Sequence, residues 1–460
     1  MEAPLIVARV HQGLFRHTHR VLYMTRNTLH ISLMTGVLVF GVWYNNVLRW
    51  FPFPAGRSLN ELSSLDDNLV GIVVNSCSFA LLAALTLSAA RPSRCCTKED
   101  LATIHNMLLY VYCGLMVLRS LWGEHPSMEV ARALSAVVMF VSANKMGKLL
   151  GEDACVRGKV GTRLWMSLVG SLLAGFLIGV FKPDSVNWGW GHSTSFENQY
   201  RAEFFFLYTH PWVTLSLRPI ALAQGRDKSS AIKTVATAST AMIMVLSFLT
   251  RTRSHIASVL LVYCLSMKMP TIGRGFIFII LIVSSLILPL CLVAGNSSRI
   301  ADDLFGLATV ARIHDDDPNY DVTTGRSRLN EVLLGIFLDN PVFGAGPDKA
   351  REIVRLSDST AKVEHGYVMH LASYGAFALL FLAYVLIGTA CGVLLLFGEH
   401  RQPVVVADRP VHRAVGAAAV TAFLLGFVGL FGSSTGITDW FGVFFISLSC
   451  SLFSHSRRDG

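Results

Sequence analysis

Apolar residues occur along the chain in blocks of about 20, long enough at ~1.5 Å per residue to cross ~30 Å of hydrocarbon, with short charged connections between them. The blocks fall at 30–49, 69–89, 101–119, 131–149, 163–181, 203–223, 232–250, 254–268, 275–296, 366–397, 412–432 and 437–454. Each predicts a helix, because backbone polar groups surrounded by lipid must find their partners within the segment. The pattern predicts an all-α polytopic integral membrane protein with about 12 transmembrane helices. One long polar stretch, 297–364, interrupts it. Inside that stretch Leu329, Val332, Leu333, Ile336 and Phe337 recur at helical spacing, which predicts an amphipathic helix along the membrane surface and a partly helical cap on the bundle. The chain thus divides into helices one to nine over 1–296, a long loop over 297–365, and helices ten to twelve with a tail over 366–460. The first block keeps its charged flank and has no small-residue cleavage site behind it, so it is expected to remain as an anchor.

Composition sharpens this picture. Of 460 residues 52% are hydrophobic, and the mean hydropathy of +0.51 exceeds that of ordinary soluble domains. Sorting the connections alternately to two sides puts Arg9, Arg16, Arg20, Arg26, Arg91, Arg94, Lys98, Lys145, Lys148, Arg157, Lys159, Arg226, Lys228, Lys233, Lys268, Arg274, Arg401, Arg409, Arg413, Arg457 and Arg458 on one side. Only scattered residues such as Arg49, Arg57 and Lys182 fall on the other. Positive residues are retained on the cytoplasmic face, so both termini are expected there, and 182–202 and 297–364 outside. The net charge of +9 follows largely from this signal and does not point to nucleic acid. Six of the nine cysteines (Cys77, Cys113, Cys264, Cys291, Cys391, Cys450) fall in spans, and Cys95, Cys96 and Cys155 in inner connections. No disulfide framework and no zinc spacing is expected from them.

Candidate chemistry collects on the outer side. Arg251 and Arg253 lie where the seventh span emerges, opposite to where positive residues are normally kept. A guanidinium fork matches phosphate oxygens two at a time, so the pair suggests an anionic ligand, with anchoring to lipid headgroups as the alternative. Gly325-Arg326 precedes the amphipathic run, and Asp339-Asn340-Pro341-Val342-Phe343-Gly344-Ala345-Gly346-Pro347 closes it, since Pro341 cannot continue a helix and the glycines allow a tight turn. His365 opens the tenth span and, neutral near pH 7, has the chemistry of a general base. Asp302, Asp303, Asp315, Asp316 and Asp317 could hold a cation, although solvated charge on a polar loop accounts for them and no metal is expected. Arg218, deep in the sixth span, is expected to snorkel to the cytoplasmic side.

In order, Thr252-Arg253, Gly325-Arg326, the Asn-Pro-x-x-Gly-x-Gly turn at 340–346, and His365 with Leu371 and Gly375 behind it resemble the bacterial O-antigen ligase and O-antigen polymerase family. The likeness covers mainly 235–385, with Ser254 where the family usually has Gly and Gly366 where it usually has Asn. An upstream echo runs from Gly189-Trp190-Gly191-His192 to Glu197-Asn198, which adds Asn198 and Arg201 as substrate-binding candidates. The resemblance implies a GT-C-like glycosyltransferase of the bacterial inner membrane with a periplasmic site and no cofactor. Its donor would be an undecaprenyl-diphosphate-linked glycan, and its acceptor a hydroxyl of lipid A core or of a second lipid-linked glycan. By the same resemblance Arg253 and Arg326, with Arg251 as competitor to Arg253, hold the diphosphate, and His365 is the base. Ligase, polymerase and protein O-glycosylation all fit, and a carrier is the reading from a different class.

Overall fold

Helices make up almost all of the described chain. The structure, a computed structural model, describes residues 28–37, 81–84, 101–123, 126–181, 187–190, 200–203, 211–224, 230–249, 253–266, 326–357, 367–398, 408–428 and 440–456. After short helical stretches at 28–37 and 81–84 come α1 (Leu101–Ser120), α2 (Pro126–Glu152), α3 (Ala154–Phe181), β1 (Asn187–Trp190), β2 (Tyr200–Glu203), α4 (Pro211–Gln224), α5 (Ser230–Leu249) and α6 (Arg253–Ser266). They are followed by α7 (Arg326–Asp339), α8 (Pro347–Ser357), α9 (Tyr367–Tyr374), a single 3-10 turn (Gly375–Phe377), α10 (Ala378–Phe397), α11 (Arg409–Val428) and α12 (Trp440–Ser456). Among the described residues three helical stretches, Leu101–Ser120, Glu129–Glu152 and Tyr367–Phe397, are long and apolar enough to cross a membrane. Thr28–Val37, Ile232–Val245 and Trp440–Ser456 are shorter apolar helices. The apolar block at 275–296 lies outside the described residues.

The elements depart from the hydropathy blocks at three places, each for a local reason. Helix α3 begins well before the block at 163–181, because the Asp153 carboxylate accepts hydrogen bonds from the Cys155 and Val156 amides at 2.8 and 3.1 Å and starts the helix. Helix α4 starts only at Pro211, a residue preorganised for the first helical position. Upstream of it Tyr200–Glu203 pairs antiparallel with Asn187–Trp190 as a two-stranded ribbon. The block at 366–397 is not one helix, since it breaks at Gly375, whose φ of 60° is left-handed.

Helix α12 sits at the centre of the bundle, packed on α1, α2, α10 and α11, with every residue from Trp440 to Ser454 buried. Small residues permit this. A Cβ on Gly147 would lie 2.5 Å from the Phe444 carbonyl oxygen, and one on Gly151 only 2.4 Å from Ser451 Oγ, so α2 and α12 approach as closely as backbones can. Buried hydroxyls then reach partners across the helices: Ser447 donates to the Asn144 carbonyl at 2.7 Å, Ser449 to that of Gly388 at 2.6 Å, and Ser451 to that of Lys148 at 3.1 Å. Asn144 also donates to Asn106 at 2.9 Å and accepts from Tyr384 at 3.1 Å. In a low-dielectric interior such pairing is what makes polar side chains tolerable. Cys113, Cys391 and Cys450 are buried and Cys155 is exposed, none of them in a disulfide.

At one end of α2, Arg157 of α3 folds back to donate to the Leu150 and Gly151 carbonyls at 3.2 and 3.4 Å. Its Nη2 lies 3.8 Å from Asp408, just ahead of α11. These carbonyls belong to the last turn of α2, where intrahelical donors run out, so Arg157 closes that end.

Candidate functional site

At the other end of α2 a separate apolar cluster holds the segment that the sequence marks as chemical. Leu333 and Ile336 of α7 meet Ala350 and Val354 of α8 and Met369 and Ala372 of α9. The helical spacing read from the sequence therefore does present a buried face, although that face packs on α8 and α9.

Helix α7 ends at Asp339, and Pro341 begins the turn. The Gly344 amide donates back to the Asn340 carbonyl at 3.0 Å, and Gly344 and Gly346 adopt φ of 67° and 97°. Only glycine enters that region without strain. The turn is docked by backbone bonds: Ala345 and Gly346 donate to the Ala372 and Ser373 carbonyls at 2.9 and 3.1 Å, and Ala376 donates to those of Pro341 and Val342 at 2.8 and 3.1 Å. The cause lies in the break at Gly375. A left-handed residue ends α9, which leaves its last carbonyls without helical donors, and the turn supplies them. The contact is close, since a Cβ on Gly375 would fall 2.5 Å from the Val342 carbonyl oxygen. Pro347 then starts α8, with Asp348 in its first turn.

Two residues that sequence reasoning passed over complete this platform. Arg119, at the end of α1, donates through Nε to the Phe343 carbonyl at 2.9 Å and through Nη2 to that of Gly344 at 3.1 Å. Glu129, in the first turn of α2, is 1% exposed, and its carboxyl group lies over Gly123. A Cβ on Gly346 would be 3.3 Å from Arg119 Nη2 and 3.6 Å from Glu129 Oε2, so guanidinium and carboxylate flank the same glycine. The available signal was Arg119 itself, another Arg where a span meets a connection expected on the outer side, by the same logic that selected Arg251 and Arg253.

Helix α9 is tied to α1 as well. The Tyr112 hydroxyl and His370 Nδ1 share a hydrogen bond, and the His370 ring stacks on Phe381 at 5.6 Å between centroids.

The candidates from the sequence are distributed as follows. Arg253 is the first residue of α6 and Arg326 the first of α7. Arg201 lies in β2 opposite Gly189 of β1, which brings together two ends of the upstream echo. Asn198, Arg251 and His365 lie outside the described residues, as do Asp302, Asp303 and Asp315 to Asp317. Arg218 lies within α4 beside Pro219, and its Nε is buried with no hydrogen-bond partner among the described residues. No group of three or more His, Cys, Asp or Glu side chains suited to a metal occurs among the described residues. No protein-family model matches the chain, and no curated protein matches it in sequence.

Proposed function

We propose that this protein transfers a glycan from an undecaprenyl-diphosphate donor to an acceptor hydroxyl at the outer face of a bacterial inner membrane, with ligation of O-antigen to lipid A core as the leading case. The observation that carries the reading is the docked turn at 340–346. It fastens the end of the helix that Arg326 opens onto the helix that begins two residues after His365. The turn at 340–346 and the helices that follow Arg326 and His365 thus belong to one packed platform.

In this scheme Arg253 and Arg326 grip the diphosphate and His365 takes the proton from the acceptor hydroxyl. The acceptor oxygen attacks the anomeric carbon as the bond to the diphosphate breaks, which inverts that centre and releases undecaprenyl diphosphate. The leaving group is already a good one, so positioning and charge stabilisation carry most of the barrier reduction.

The topology belongs to the proposal too: about 12 spans, both termini cytoplasmic and the platform periplasmic. Its support is the company that residues keep across the fold. Arg157 and Asp408, both assigned inside, lie 3.8 Å apart at one end of α2. Arg119 and the turn at 340–346, both assigned outside, bond at the other.

The test is transfer in vitro with purified protein, undecaprenyl-diphosphate-linked O-antigen, and either lipid A core or a second lipid-linked glycan, with chelator throughout. Product on lipid A core is the expected result. Lengthening of the lipid-linked chain would make the protein a polymerase, and no product with either acceptor would turn attention to protein glycosylation or a carrier. Replacing Arg326 or His365 with Ala is expected to abolish transfer while membrane insertion persists, and activity retained in His365→Ala removes the base from the scheme.

A further inference from the structure

The geometry around Gly346 points to Arg119 and Glu129 as positioning residues for the transfer reaction, an inference that rests on the proposed function for its catalytic half. Arg119 commits two donors to consecutive carbonyls, Phe343 and Gly344, that lie more than 200 residues away in sequence. Those carbonyls belong to the turn whose amides bind the end of α9. The guanidinium thereby joins the α1 end of the bundle to the junction between the helix opened by Arg326 and the helix preceded by His365.

Glu129 places a buried acidic side chain beside this arrangement. A carboxylate that is 1% exposed needs an opposite charge or strong donors nearby, and the Arg119 guanidinium stands across Gly346 from it. Three glycines make room for this set. Gly123 accommodates the Glu129 carboxyl, Gly344 presses on the Ser373 carbonyl, and Gly346 lies between the two charges. Neither charged side chain reaches the substrate in this account. They fix how the turn after α7 sits on the end of α9, and displacement of catalytic groups by ~1 Å costs on the order of 100-fold in rate.

The test combines two readouts on full-length protein in lipid nanodiscs. Hydrogen exchange is compared for wild type, Arg119→Ala, Arg119→Lys and Glu129→Gln in peptides covering 341–346 and 372–377, with α2 and α12 as internal references. In Arg119→Ala the Ala345, Gly346 and Ala376 amides are expected to exchange at least about 10-fold faster, a ratio equal to about 1.4 kcal/mol, with α2 and α12 unchanged. Arg119→Lys, which keeps the charge but not the two-donor fork, and Glu129→Gln, which keeps the shape but not the charge, are expected to fall between. In the transfer assay kcat of Arg119→Ala is expected to fall about 100-fold while KM for the lipid-linked donor stays near wild type.

Unchanged exchange in Arg119→Ala overturns the clamp. Faster exchange with unchanged kcat overturns the positioning role. If Arg119→Ala also loosens α2 and α12, the decision passes to Arg119→Lys: faster exchange confined to the turn supports the inference, and exchange equal to wild type refutes it. A wild-type protein inactive with every acceptor sinks the transferase reading, and the exchange comparison still decides whether Arg119 holds the turn.

Discussion

Two arginines at opposite ends of α2 use the same chemistry for different purposes. Arg157 donates to Leu150 and Gly151, seven and six residues back along its own chain, and so finishes the helix it has just left. Arg119 donates to Phe343 and Gly344, more than 200 residues ahead, and so fastens one part of the molecule to another. A local cap adds to the stability of the bundle. A distant one sets where a separately packed unit sits. At the Arg157 end, packing and cross-helix hydroxyls surround the clamp, whereas the platform at the Arg119 end rests on a few directional bonds and a small apolar cluster. Removing structure at the first end is expected to weaken the whole bundle, and at the second to release the platform alone.

The largest effect is expected where the bundle is tightest. Gly151 contributes its carbonyl to Arg157 and its missing side chain to the approach of α12. A Leu there must displace Ser451, 2.4 Å from the first added carbon, and α12 is buried along its length and has nowhere to move. Gly151→Leu is expected to cost about 3 kcal/mol or more and to abolish recovery of monodisperse protein. A purified Gly151→Leu protein with a wild-type melting curve would mean that α2 and α12 do not meet in this way.

That helix pair also marks what could be read in advance. The block at 101–119 matches α1, and the helical spacing that includes Leu333 and Ile336 marks a helix, because periodicity is a local property, although its apolar face, expected on the membrane surface, packs on α8 and α9. The central place of α12 was not legible, since an apolar residue facing lipid and one facing another helix leave the same mark in the sequence. The start of α3 depends on Asp153 acting as a cap, which lies ten residues ahead of the apolar block and so leaves no mark in hydropathy. At the candidate site, the tightness of the turn could be read from its glycines, but not what it docks on. The Arg119 bonds span too much sequence to leave any local pattern. Arg253 and Arg326 stand at helix starts.

Next in size come two changes that set the ends of α2 against each other. Arg157→Ala removes donors from two buried carbonyls and a side chain that is only 8% exposed. A loss of about 1.5–3 kcal/mol is expected, shared by every probe of unfolding. Gly375→Ala forces a side chain into a left-handed position at φ 60°, at about 1–2 kcal/mol, and brings it against Val342. Its effect is expected in protease sensitivity and exchange near 340–346, with the melting of the bundle unchanged. If both variants lower the melting temperature together, the platform is part of the cooperative core and the contrast between the two ends disappears.

The smallest effect tests how local the Arg157 clamp is. Asp408 is its only contact in an ion pair among the described residues, at 3.8 Å, and the Asp408 side chain is 38% exposed. Burial draws the Arg157 pKa down while Asp408 and Asp153 push it up, and the guanidinium stays charged throughout the range in which the protein is folded. A pair so open to solvent is screened, and exposed pairs contribute about 0.2–1 kcal/mol. The two carbonyl bonds do not depend on Asp408, because they are satisfied by Nη1 whereas the carboxylate faces Nη2. Asp408→Asn is therefore expected to lower stability by about 0.5 kcal/mol, and the difference from wild type should vanish as salt rises toward 1 M, where the screening length falls to about 3 Å. A loss as large as that of Arg157→Ala, or one that salt does not change, would assign the stability to the link between α3 and α11 and not to the closing of α2.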